Sequence, residues 1–153
     1  MELGSAAGAT AVVHSGCTLM TNSNLGGRTP LSNPQLREYA NVRQIEGEPK
    51  RRWFGNDANL ELIVWHEHGK VIGFQLCYDL ETDEHALTWW ADGSYWHNRI
   101  DAGDTVPGKD ATPILTADGT FDRTRVAAEF SEASKAIDPE IRSIVQRVLG
   151  GNA

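Results

Sequence analysis

The stretch running from Leu60 to Tyr78, LELIVWHEHGKVIGFQLCY, constrains this chain more than any other. Two runs rich in Val, Ile, Leu, Trp, Phe and Tyr flank a polar centre made of His66, Glu67, His68, Gly69 and Lys70. β-Branched and aromatic residues fit the half-buried, pleated surface of a strand, and Gly69 supplies the positive φ that a tight hairpin loop needs. The stretch therefore reads as a β-hairpin. In its second run Ile72, Phe74, Leu76 and Tyr78 point one way and Gly73, Gln75 and Cys77 the other, so one face is a core face.

The rest of the chain arranges itself around that hairpin. Residues 1–38 are rich in Gly, Ala, Ser, Thr and Asn, a composition too poor in apolar surface to offset the entropy of ordering it. We expect a disordered or flexible leader there, and a single domain over 39–153. Residues 42–45 (VRQI) can form a first short strand. After the hairpin, His85–Trp90 and Ser94–Ile100 read as two more strands joined at Asp92-Gly93, a strong hairpin signal. Residues 101–110 carry too many Gly, Pro and Asp for regular structure, and Pro113–Thr116 is a candidate last strand.

Two helices follow. Asp122 is placed to N-cap the first, with Phe121 and Val126 as a hydrophobic staple. Asp138-Pro139 starts the second, whose apolar stripe is Ile141, Ile144, Val145 and Val148, with Gly150 as its left-handed stop. Strands first and helices last give an α+β fold: an antiparallel β-meander of four to six strands packed by two C-terminal helices.

The 153-residue length suits one domain with a core of its own. A formal charge of −7 argues against a nucleic-acid partner, because binding phosphate calls for a net basic surface. The N-terminus lacks a signal-peptide pattern and no apolar run approaches membrane-span length, so no membrane association is expected. Cys17 and Cys77 form no CxxC pair, which favours a reducing, cytoplasmic setting. No GxGxxG or GxxxxGK loop is present, and no cofactor is expected.

At Arg51-Arg-Trp-Phe54, Leu62-Ile-Val-Trp65, Gly73-Phe-Gln-Leu-Cys-Tyr-Asp79, Ala86-Leu-Thr-Trp89, Thr112-Pro-Ile-Leu115 and Asp118-Gly-Thr-Phe-Asp122 the chain resembles a family of small uncharacterised bacterial proteins. The resemblance spans roughly Val42 to Leu149. It implies a bacterial, intracellular single domain preceded by a leader, and it brings no activity and no catalytic residue with it.

Four groups of residues bear on chemistry. His66 and His68, two apart, would share a strand face like two metal-ligating imidazoles, but no third ligand is evident and the hairpin tip favours solvated turn residues. His97, Arg99 and Asp101 alternate along the fourth strand beside Tyr95, a set able to bind an anion or move a proton, although a solvated antiparallel face alternates polar residues in the same way. Lys50, Arg51 and Arg52 with Arg43 make a cationic patch that offers bidentate contacts to a carboxylate or phosphate, or pairs with Glu46, Glu48 or the Asp79–Glu84 turn. Adjacent Trp89 and Trp90 must leave opposite faces of the sheet, so Trp90 is expected to wall a cleft or a homodimer contact.

These features favour a non-catalytic small-ligand-binding or regulatory module. Tyr95, His97, Arg99, Arg51, Arg52 and Trp90 would receive a small anionic ligand or a partner. The alternative is a small hydrolase or isomerase-like enzyme using His97 and Asp101 as acid and base.

Overall fold

The structure, a computed structural model, describes residues 33–57, 59–101, 114–117 and 121–151. It is the α+β meander read from the sequence, with seven strands, counting the two-residue β1, where four to six were expected. Strands β1 (Arg37–Glu38), β2 (Lys50–Gly55), β3 (Glu61–Glu67), β4 (Lys70–Tyr78), β5 (His85–Trp90), β6 (Tyr95–Asp101) and β7 (Ile114–Ala117) lie side by side in chain order. Every neighbouring pair is antiparallel. Helices α1 (Arg123–Ala133) and α2 (Pro139–Leu149) follow. No helix among the described residues is long and apolar enough to cross a membrane.

The central hairpin turns on two residues, His68 (φ 50°) and Gly69 (φ 75°), between the paired Glu67 and Lys70. Two successive positive φ values match the right-handed twist of the flanking strands. The polar tip is thus shorter than its sequence suggested, and His66 belongs to strand β3. The pairing passes from Trp65–Gly73 to His66–Val71 and skips Ile72, a bulge in β4 that puts Val71 rather than the expected Ile72 against the core.

The N-terminal edge differs from expectation. Residues 42–45 are not a strand, and the cationic segment Lys50–Gly55 is. The Gln44 side chain takes the place of a pairing strand: its amide donates to the Arg51 carbonyl and accepts from the Arg51 N–H, both at 2.8 Å. Asn33–Glu38, assigned to the leader, join the fold. Leu36 is buried in the core and its N–H reaches the Ala133 carbonyl at 2.8 Å, tying this end to α1. The remainder of the expected leader, 1–32, lies outside the described residues, as does the expected loop over 101–110 apart from Asp101, which instead ends β6.

Both helix starts are as the caps predict. Asp122 accepts from the Arg125 N–H and Asp138 from the Glu140 N–H. The stop of α2 is displaced by one residue: Gly150 stays right-handed (φ −74°) and Gly151 adopts φ +88°. Both helices cover one sheet face. Val126, Phe130, Ile141, Val145 and Val148 pack there on Leu62, Val64, Phe74, Leu76, Leu87 and Trp89.

The opposite face is buried as well, contrary to the single covered face expected. Register puts Ile63, Gln75 and Thr88 in one cross-strand row, and each is almost wholly shielded, Gln75 at 1% exposure. On this face Trp90 lies flat across Gly73 and stacks on Trp65, centroids 4.8 Å apart and planes 21° apart. A Cβ on Gly73 would come within 2.5 Å of Trp90 Cε3, so only glycine admits the indole. Gly73→Ala is therefore expected to destabilise the fold by about 1–3 kcal/mol through overpacking, seen as a lower urea midpoint and a red-shifted tryptophan emission. Unchanged values would show that Trp90 can move away freely.

Candidate functional site

The residues singled out on β6 divide between a buried junction and the solvent. Tyr95, His97 and Arg99 share a face, as their spacing requires, but it is the face under the helices. The expected solvated sheet surface is absent at His97, which is 7% exposed. Its ring stacks on Phe121 at 4.3 Å and on His85 at 5.3 Å, and its Nε2 shares a hydrogen bond with the Tyr78 hydroxyl. Phe121, read as a staple residue, thus also lids this imidazole. The Tyr95 hydroxyl accepts from Arg123 Nη2 at 2.6 Å. Arg99 is exposed and paired with Asp83 at 2.6 Å. Asp101 ends β6 opposite Ile114, and its side chain lies outside what is described.

Two further arginines fasten α1 over this stack. Arg125 bridges to Asp79 at 2.7 Å while lying over the Tyr78 ring, and Arg123 lies over Tyr95 and Phe121. Burial pushes the Asp79 carboxyl up, but the hydrogen bonds from Arg125 and Asn59, together with the Arg125 charge, outweigh it and hold the carboxyl below its usual range. These contacts make the His97 neighbourhood a packed junction between sheet and helix.

The other candidates converge elsewhere. Between the start of β2, the tip of the central hairpin and the N-terminus of α2 lies a cleft of about 880 Å³, bordered by Lys50, Arg51, Arg52, His66, Glu67 and Glu140 among others. Lys50 is the cross-strand partner of His66, so the two side chains leave the sheet together on the helix side. Lys50 makes no ion pair among the described residues. The Nδ1 of His66 is shielded and has no hydrogen-bond partner. Burial first, and then the Arg52 charge, lower the His66 pKa below its ordinary 6.5, so the imidazole is neutral at pH 7.

Arg52 is a fixed wall of this cleft rather than a free cation. Its Nε and Nη2 engage both oxygens of Glu38 at 2.8 Å, and Nη1 approaches the Asp138 carboxylate at 3.4 Å. That bidentate pair raises the Arg52 pKa and lowers that of Glu38. The partners expected for the patch, Glu46, Glu48 and the Asp79–Glu84 turn, are not the ones used. Arg51 leaves on the opposite side of β2, where its Nη2 donates to the Arg43 carbonyl at 2.9 Å.

The remaining sites resolve simply. His68 is exposed in the turn and His66 is in the strand, and no group of three or more metal-ligating side chains occurs among the described residues. Trp90 is half-buried against Trp65, whereas Trp96 is the exposed tryptophan, at 43%. Cys77 is fully buried beside Ala86 and is not a free thiol.

One group escaped the sequence reading altogether. Glu61 opens the apolar run of β3 and is 8% exposed, with its Oε2 unpartnered. Burial, reinforced by the Glu84 carboxylate, pushes its pKa up to about 7. The Trp53 indole N–H opposes that shift but does not reach hydrogen-bond geometry. Alternation alone signals the position, because a glutamate in phase with Ile63 and Trp65 shares their face. Comparison of the chain with known protein families, with curated proteins and with solved structures finds no match in any of the three.

Proposed function

We propose that the protein is a non-catalytic binding module that takes a small anionic ligand in the cleft between the central hairpin and α2. The observation that carries this reading is the Lys50–His66 pair, which borders a cleft of about 880 Å³: among the described residues the cation has no ion pair, and the neutral imidazole beside it has a shielded Nδ1 with no hydrogen-bond partner. Lys50 supplies charge for a carboxylate or phosphate, and His66 supplies one directional hydrogen bond. Arg52, held by Glu38 and Asp138, keeps β2 against the start of α2 and so fixes the cleft wall. Glu67 and Glu140 on the rim select a ligand that also presents a donor, such as a hydroxyl or an ammonium.

An acid–base role for His97 with Asp101 has less support, since His97 is enclosed between aromatic rings and lies under α1 rather than at a cleft mouth. Arg99 is likewise a weaker ligand candidate than Lys50, because Asp83 already pairs with it.

A thermal-shift panel of inorganic phosphate, citrate, small carboxylates and phosphate esters tests the proposal. A true ligand at roughly a hundred times its Kd contributes about 2.7 kcal/mol and raises Tm by roughly 5–10 °C. The gain should vanish in Lys50→Ala and persist in Arg99→Ala. Absence of any response across the panel, or a response abolished by Arg99→Ala alone, contradicts the proposal.

A further inference from the structure

A second cleft opens on the opposite side of the hairpin tip, independent of Lys50 and His66. It measures about 450 Å³ and is bordered by Glu67, Ile72, Trp90, Asp92, Ser94 and Trp96. Two features set its chemistry. Its walls are aromatic: Trp96 is exposed, and Trp90 commits one face to Trp65 while bordering the cleft with the remainder. Its charge is one-sided: among the described residues Glu67 and Asp92 border it, and no lysine or arginine does.

We infer that this cleft binds a small organic cation of the quaternary or alkylated ammonium class, held between the indoles of Trp90 and Trp96 and neutralised by Asp92 and Glu67. Indole is the strongest of the side-chain π faces for a cation, and a poorly hydrated alkylammonium loses little on leaving water. An anion would meet two carboxylates. A neutral polyol would find acceptors in Glu67 and Asp92 but only the Ser94 hydroxyl as a side-chain donor beyond the indole N–H groups. Asp92 is positioned for the task by its turn, where its Oδ1 accepts from the Ser94 N–H at 2.8 Å. Trp90 is anchored by its stack on Trp65 across Gly73, so this wall of the cleft is in place before a ligand arrives.

Titration of the full chain with choline chloride and tetramethylammonium chloride, followed by tryptophan fluorescence against sodium chloride at equal ionic strength, tests the inference. Saturable change is expected with both cations and not with sodium or maltose. Trp96→Ala should weaken binding about fivefold and Asp92→Asn about threefold, with circular dichroism unchanged because both side chains are on the surface. Lys50→Ala should leave it intact, which separates this site from the anion cleft. No saturable change beyond the sodium control, an equal response to maltose, or binding indifferent to Trp96→Ala would overturn the assignment. So would sedimentation showing a dimer that Trp96→Ala dissociates, since the cleft would then be an interface between copies.

Discussion

Replacing Glu61 with glutamine is expected to stabilise the protein at pH 8 by roughly 2–3 kcal/mol and to leave it unchanged at pH 4. The sign follows from the raised pKa. The folded carboxyl titrates near 7 against an ordinary 4.5, so between those values the folded state holds a proton that the unfolded state has lost. Stability contributed by the protonated form is complete below pH 4.5, falls as pH rises and is gone above about 7. Glutamine is neutral throughout and removes that loss. Other groups titrate with the opposite sign, including His66 below 6.5 and Asp79 and Glu38 in the acid range. The difference between mutant and wild type isolates Glu61 from them. Urea unfolding at pH 4, 6 and 8 measures it, and parallel curves would mean that the Glu61 carboxyl is ionised in the fold.

Phe74→Ala is expected to destabilise by about 3–5 kcal/mol, a large share of the whole stability of a domain this size. Phe74 is fully buried at the centre of the helix-side core, flanked in register by Val64 and Trp89, with the Trp89 ring 5.7 Å away. Removing the ring leaves a cavity under α1 and α2 that neighbours on a hydrogen-bonded sheet cannot close. Trp96→Ala removes a larger side chain, yet at the surface it should change stability by less than about 0.5 kcal/mol. Chemical denaturation of the two variants compares them directly, and similar costs would mean that the two sheet faces have been assigned wrongly.

Periodicity made most of this architecture legible. The alternation in β3 and β4, the Asp-Gly turn before β6 and the two aspartate caps are local signals, and each corresponds to an element in the fold. The strand β2 was hidden because Lys50-Arg-Arg interrupts any apolar alternation, and its Phe54 and Trp53 face opposite sides. The edge near Val42 misled for the converse reason: apolar residues favoured a strand, while the actual pairing is made by the side chain of Gln44. The site was less legible than the fold. Lys50 and His66 each stood out singly, as part of a cationic patch and of a His-x-His pair, but nothing in one dimension reveals that they are register partners. His97 drew attention for its Arg and Asp neighbours, and only the placement of Phe121 and α1 over β6 turns it into a packing residue. The exposed partner of the tryptophan set was similarly unpredictable. Trp90 is held down by the absence of a side chain at Gly73, a contact between strands.

The central claim is that ligand recognition belongs to the hairpin–α2 cleft and not to strand β6. Two-dimensional NMR of the labelled protein, titrated with inorganic phosphate and then with citrate, tests it most directly. The account predicts saturable shifts at Lys50, Arg51, His66, Gly69 and Asp138–Glu140, including the His66 ring nitrogens, while Tyr95, His97 and Arg99 stay still. Shifts centred on His97 and Arg99, with the Lys50–His66 pair unmoved, would contradict it.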